Sequence, residues 1–216
     1  MTHPSDIIIH EIEQYTPEWW AVRAGKFTGS IAGKLVTPTG RKSTTYRSEI
    51  AVLIAEAMGW QEPPDRVETE WMTIGSNMED EARKWFTVET GLAVKECGFI
   101  EKNNMVGLSP DGYVDEGGSN GFITVEFKVP KPSTHIGWLL EGGMPKDHMA
   151  QVHFALAVTG NPYAYFMSYS PHCAPLLIKV ERSDYTDLML SQIEAFEKEY
   201  REAFKTITGV DYEAVF

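Results

Sequence analysis

Two short segments decide how this chain folds: Ser109-Pro110-Asp111-Gly112, and the run Ile123-Thr124-Val125-Glu126-Phe127-Lys128-Val129 that follows it. The second alternates apolar and polar residues as a half-buried strand does. Side chains two apart on a strand share a face. Ile123, Val125, Phe127 and Val129 therefore point one way, and Thr124, Glu126 and Lys128 the other. Pro110 biases Ser109 toward an extended conformation, and Gly112 permits a sharp turn after Asp111. If the two segments pair as neighbouring strands, Asp111 lies beside Glu126, on the face that carries Lys128.

Two adjacent carboxylates and a lysine point to one kind of chemistry. Mg²⁺ takes hard oxygen ligands in an octahedral shell and keeps several waters. Asp111 and Glu126 would supply carboxylates, and the backbone carbonyl of Phe127 a third oxygen. A metal held there acidifies water and screens the charge that builds on a phosphate. Lys128 would orient or deprotonate the attacking water, or stabilise the pentavalent phosphate. Carboxylates this close repel, so without the metal at least one pKa is raised. Each segment also has an ordinary reading. Glu-x-Lys on a strand is often a solvated ion pair, and Pro-Asp-Gly is a common turn. A second Pro-Asp, Pro64-Asp65, has no Glu-x-Lys behind it and reads as a loop.

The chain has 216 residues, enough for one domain with a sizeable core, assigned to 1–216. It contains no apolar run long enough to span a membrane and no signal-peptide core. Cys97 and Cys173 are the only cysteines. That suits a reducing cytoplasm and excludes a four-cysteine iron–sulfur cluster, and no Cys/His spacing resembles a zinc site. His135, His148, His153 and His172 read as packed or surface residues. With 19 basic against 31 acidic residues the net charge is −12, awkward for a protein that binds nucleic acid. The acids cluster, though: Glu62, Asp65, Glu68, Glu70, Glu79, Asp80 and Glu81 form one region, while Arg41, Lys42 and Arg47 form a basic segment. A basic groove aided by metals can still bind DNA on an acidic protein.

The remaining pattern predicts a short strand at Ile7–Ile9 and a helix at Pro17–Arg23 that buries Trp19 and Trp20. A short helix follows over 28–35, then a loop over 36–42. A helix over 43–60 is capped by Ser43 or Thr44. A strong helix over 71–90 ends at Gly91, with Ile74, Met78, Ala82, Trp85 and Phe86 on its apolar stripe and Glu79 at the border. Segments 93–100, 105–108 and 122–129 are strands of a meander. A helix over 146–158, strands over 163–169 and 176–181, and a long amphipathic helix over 183–207 complete the chain. The order predicts an α/β (α+β) fold with a mixed central sheet flanked by helices.

The Asp…Glu-x-Lys set resembles that of the PD-(D/E)xK nucleases, whose restriction-endonuclease-like core has this mixed sheet. A wider series of motifs goes further: Trp19-x-x-x-Arg23-x-Gly25 with Thr28-x-Ser30, then Gly75-x-x-x-Glu79-x-x-Ala82-Arg83-x-x-Phe86. Ser109-Pro110-Asp111-Gly112, Glu126-Phe127-Lys128 and Met149-Ala150-Gln151-Val152 follow. In this order, over roughly 15–200, they resemble the lambda-type phage exonucleases of the YqaJ-like viral recombinase family. The resemblance implies a 5′-to-3′ exonuclease on double-stranded DNA, dependent on Mg²⁺ with Mn²⁺ as substitute. It implies a homotrimeric ring, a single-strand annealing protein as partner, and a phage or prophage enzyme in the cytoplasm of a bacterial host.

Asp111 and Glu126 would then be metal ligands, Lys128 the catalytic lysine, and Glu79 a ligand or water-orienting base near the metal. Arg23 resembles the family's 5′-phosphate binder, a role that suits a bidentate guanidinium. Ser30, Ser109 and Gln151 match polar positions around that phosphate. Arg41 and Lys42 fall in a basic segment expected to touch DNA, and Met72 falls where the family carries an apolar wedge. Two alternatives stay open: a DNA-end-binding protein of this fold that does not cut, and another branch of the fold, an endonuclease or helicase-associated nuclease. Arg23 with Ser30 favours the end-specific branch.

Overall fold

The computed structural model describes residues 7–61, 70–117 and 121–216, and the side chains of all of these but 70–77. Met72, the expected wedge, and Glu62, Asp65, Glu68 and Glu70 of the acidic region lie outside the described side chains.

Among the described residues, eight strands form two sheets. β1 (Ile8–His10), β3 (Phe99–Asn103) and β4 (Val106–Leu108) make a small antiparallel sheet in the order β1-β3-β4. β2 (Val94–Lys95), β5 (Gly112–Val114), β6 (Ile123–Lys128), β7 (Tyr163–Ser168) and β8 (Leu176–Glu181) make the larger sheet in that order. β6 and β7 are parallel and the other pairs antiparallel, so the larger sheet is mixed as expected. The helices are α1 (Pro17–Arg23), α2 (Arg47–Ala57), α3 (Glu70–Thr90), α4 (Pro132–Glu141), α5 (Lys146–Thr159) and α6 (Asp184–Thr208).

Several expectations change. The 93–100 segment is not one strand: it breaks at Gly98, where an added Cβ would lie 2.4 Å from the Ile12 carbonyl oxygen. Its two halves serve different sheets, so the expected meander is divided between them. The 28–35 helix is a 3-10 turn, Gly29–Lys34. α2 starts four residues later than the predicted helix, after Tyr46, with no side-chain cap. Ser43 instead pairs with Thr45, its hydroxyl accepting from the Thr45 amide at 3.2 Å. α4 was not anticipated at all.

β6 is the centre of the architecture. Phe127, Val125 and Ile123 pack against Ala82 and Phe86 of α3 and Met167 of β7, with the Phe86 and Phe127 rings edge-on at 5.9 Å. The opposite face holds Thr124, Glu126 and Lys128 and meets α5. α5 packs Val152 and Leu156 against Ala164 and Phe166 of β7 and Val180 of β8. α6 closes the other side, with Phe196, Tyr200 and Phe204 in the same cluster as Phe27, Tyr46 and Phe154. Burial of this aromatic mass at about 25 cal/mol per Å² is the main stabilising term.

Candidate active site

The β5–β6 register decides the site. Gly112 pairs with Val125, Tyr113 with Thr124 and Val114 with Ile123. Asp111, one residue before β5, thus falls opposite Glu126, as the alternation requires. Its Oδ2 accepts the Phe127 amide at 2.7 Å, which fixes the carboxylate. Gly112 is required, but for space rather than for a left-handed turn: a Cβ there would meet Val94 Cγ1 at 2.5 Å and the Lys95 carbonyl oxygen at 3.0 Å.

The Lys128 ammonium donates to Glu126 Oε1 and, at 3.0 Å, to the Phe127 carbonyl, and lies 3.6 Å from Asp111 Oδ2. One cation therefore touches all three oxygens assigned to a metal. This is the test of fit for a divalent ion: the ammonium stands in for it on the same donor set. Among the described residues no three His, Cys, Asp or Glu side chains gather at a point. Two carboxylates and a carbonyl, with water completing the shell, are what Mg²⁺ commonly takes.

The electrostatics agree with the demand for a cation. Burial and the neighbouring Asp111 charge push the Glu126 carboxyl well above the ordinary range, further than Lys128 pulls it down. Burial works to lower the Lys128 pKa, but the charges of Asp111 and Glu126 outweigh it, and the ammonium holds its proton more tightly than an ordinary lysine. Glu79 acts on both groups through its charge and lines the adjoining cavity of about 770 Å³ with Asp111 and Arg83. Gln151 of α5 donates Nε2 to Glu126 Oε1, so here it serves the carboxylate.

A cavity of about 300 Å³ joins this cluster to Arg23, Ser30 and Ser109. Arg23 Nη2 donates to Ser30 Oγ at 3.1 Å, and its guanidinium lies 5.0 Å from the Trp19 ring centroid. Burial lowers its pKa from the ordinary arginine value, with Glu56 opposing; an arginine remains a cation regardless. Ser109 Oγ accepts from Trp19 Nε1 at 3.1 Å, and the same N–H reaches the Gly98 carbonyl at 2.8 Å. Arg41 and Lys42 are exposed in the loop bridged by Val36 and Lys42 and do not line these cavities. The histidines behave as packed residues: His135 bonds Ser168 Oγ at 2.7 Å and His153 bonds Thr186 Oγ1 at 2.7 Å. Both cysteines are free, and burial pushes the Cys97 thiol up to about 12.

Three wall residues escaped sequence reading. Gln14 donates Nε2 to the Pro110 carbonyl at 3.1 Å, holding the segment that carries Asp111. Trp20, half-buried, lines the cavity beside Arg23. Tyr15 does so with φ 68°, unique among the described non-glycine residues. That left-handed conformation costs an L-residue roughly 1–2 kcal/mol. Their nearness in sequence to Trp19 and Arg23 was the available signal.

Residues 18–162 match the YqaJ-like viral recombinase domain. Among solved structures, an alkaline exonuclease from Laribacter hongkongensis (LHK-Exo) is similar with a TM-score of 0.73 and 26% identity, covering 89% of this chain and 96% of that one. The same enzyme in complex with dAMP gives 0.68 and 26%, covering 90% and 98%. A phage-related exonuclease from Haemophilus somnus 129PT, at 14% identity, shares the fold with a TM-score of 0.57 over 85% and 96%. A search of curated protein sequences finds no significant match. Because the matched domain spans well over half of the sequence and contains Arg23, Asp111, Glu126, Lys128 and Gln151, the chain belongs to the YqaJ-like viral recombinase family.

Proposed function

We propose that this protein is a metal-dependent exonuclease, a single nuclease domain over 1–216, that digests one strand of linear double-stranded DNA from 5′-phosphorylated ends. It works 5′ to 3′ and leaves 3′ single strands for annealing-type recombination. The observation that carries this reading is one cavity with two functions: a cation on Asp111 Oδ2, Glu126 Oε1 and the Phe127 carbonyl, and Arg23 with Ser30 beside it. The similarity to an alkaline exonuclease also solved with a deoxynucleoside monophosphate supports it.

Asp111, Glu126 and the Phe127 carbonyl would hold Mg²⁺, or Mn²⁺ in its place, with Glu79 nearby. When bound, the ion supplies an acidified water and charge screening at the scissile phosphate. The chain does the rest. Lys128 would orient or deprotonate the attacking water, or donate to a phosphate oxygen as negative charge develops there. Gln151 holds Glu126 in place. Arg23 clamps the terminal phosphate and sets the next phosphodiester against the carboxylates, so that positioning supplies much of the rate.

An acidic chain with net charge −12 holds DNA poorly by charge alone, because non-specific affinity grows with the number of basic contacts. A homotrimeric ring of heterologous contacts that close by rotation would retain a threaded duplex, with Arg41 and Lys42 toward the channel. A single-strand annealing protein would take the exposed 3′ strand, in the cytoplasm of a bacterial host carrying the phage or prophage. Among the described residues no helix is long and apolar enough to cross a membrane. The test is digestion of linear duplexes with 5′-phosphate or 5′-hydroxyl ends, with and without chelator. The expected result is stepwise shortening of the phosphorylated strand from its 5′ end, its complement intact, and none in chelator. Internal cuts, or equal rates at both ends, would overturn the reading.

A further inference from the structure

We infer that Tyr15 is a stacking platform for the nucleobase of the terminal nucleotide in the active-site cavity, an inference that rests on the exonuclease reading. The loop holding Tyr15 is pinned on both sides. Gln14 is tied to the Pro110 and Cys97 carbonyls at 3.1 and 3.4 Å. Thr16 caps α1, its Oγ1 accepting from the Trp19 amide at 3.3 Å and donating to the Glu13 carbonyl at 2.8 Å. Between these anchors the backbone takes φ 68°, a conformation that glycine adopts freely and a side chain with a Cβ resists.

Tyr15 is 50% exposed; its ring meets the Trp19 ring at 5.0 Å, tilted by 48°. Trp19 in turn meets Trp20 edge-on at 4.5 Å. Strain kept at a half-exposed aromatic on the cavity wall points to a role at the site. The position supplies that role. Tyr15 lines both the cavity that contains Arg23, Glu126 and Lys128 and the one that contains Glu79, and the two cavities share Asp111. A terminal nucleotide held between Arg23 and the carboxylates in this cavity has the Tyr15 ring on one of its walls. Every base has a π-face, so an aromatic wall there accepts any sequence.

The test couples the ring to the base. Duplexes with a normal or an abasic 5′-phosphorylated first nucleotide are digested by the wild type, Tyr15→Gly and Tyr15→Phe, with KM and kcat measured separately. The wild type should show a KM roughly tenfold higher for the abasic end, the effect of one base–aromatic stack. Tyr15→Phe should match it. Tyr15→Gly, which takes the same φ freely, should bind both ends equally weakly. If Tyr15→Gly discriminates between the ends as the wild type does, the stacking role is overturned while the exonuclease reading stands. If the wild type degrades neither duplex, both fall together.

Discussion

Replacing Lys128 with methionine separates the ammonium's two tasks, because in this structure it occupies the oxygens a metal would use. The substitution removes the hydrogen bond to Glu126, the 3.0 Å bond to the Phe127 carbonyl and the 3.6 Å approach to Asp111. Removing one member of a buried ion pair costs about 3–5 kcal/mol. The lower end applies, for two reasons. The Lys128 side chain keeps 26% of its surface in water. Glu126, already pushed upward by burial, can also take up a proton instead of staying charged. About 3 kcal/mol of destabilisation in chelator follows. Divalent metal should return most of it, since a ligand at a hundred times its Kd stabilises by about 2.7 kcal/mol. The wild type should gain less, because the ion must first displace the ammonium. Urea unfolding of both proteins, in chelator and in Mn²⁺, measures the four stabilities, and cleavage by the variant should remain absent throughout. Equal metal stabilisation of the two proteins, or a variant as stable as the wild type in chelator, would refute the shared-oxygen argument.

Asp111→Ala should abolish cleavage and also cost about 1–3 kcal/mol, because it strands the Phe127 amide; Asp111→Asn, which keeps an acceptor, should be equally inactive but near wild-type stability in thermal melts. Arg23→Ala should lose more than tenfold of the preference for 5′-phosphorylated over 5′-hydroxyl ends, since truncating one partner of a buried charge pair costs about 2–5 kcal/mol; competition between the two ends measures it. His148 is packed between Trp138 and Phe166 at 5.3 and 5.5 Å, and burial, then the Lys128 charge, pulls its pKa down to about 4. The unfolded chain takes up that proton near 6.5, so the stability is complete above 6.5 and is lost as pH falls toward 4. The gap caps the loss near ~3 kcal/mol, less for a partly exposed ring, and His148→Phe should flatten this limb in urea melts at pH 7 and 4.5. Sedimentation equilibrium at micromolar protein should give three chain masses; a monomer that degrades long DNA without exchanging onto competitor would refute the ring.

The parts of the molecule legible in its sequence are those governed by a strong period or a short pairing. The alternation at 123–129 placed Glu126 and Lys128 on one face, and Asp111 followed from the neighbouring strand. Gly91 marked the end of α3 because the turn there needs φ 73°. α4 was hidden because two of its three large aliphatics, Ile136 and Leu140, are exposed while His135 is buried, so no continuous apolar stripe announces it. β5 is three residues long and exists only through its partners. The break at Gly98 depends on Ile12, far away in sequence, passing over it. The Gln14 wall was illegible for the same reason: its role lies in a contact with a segment nearly a hundred residues downstream.

The pairing of Gly112 with Val125 makes catalytic competence an all-or-none property of each molecule. Side chains alternate with a period of two, so a slip of one residue along β6 would turn Val125 and Phe127 into the cavity and drive Glu126 and Lys128 against Ala82 and Phe86. No half-active arrangement lies between these two frames. In a refolding experiment, the turnover recovered per mole of chain therefore counts the molecules that closed β5 on β6 in the native frame. It does so without a spectroscopic probe, and at dilutions where circular dichroism sees nothing.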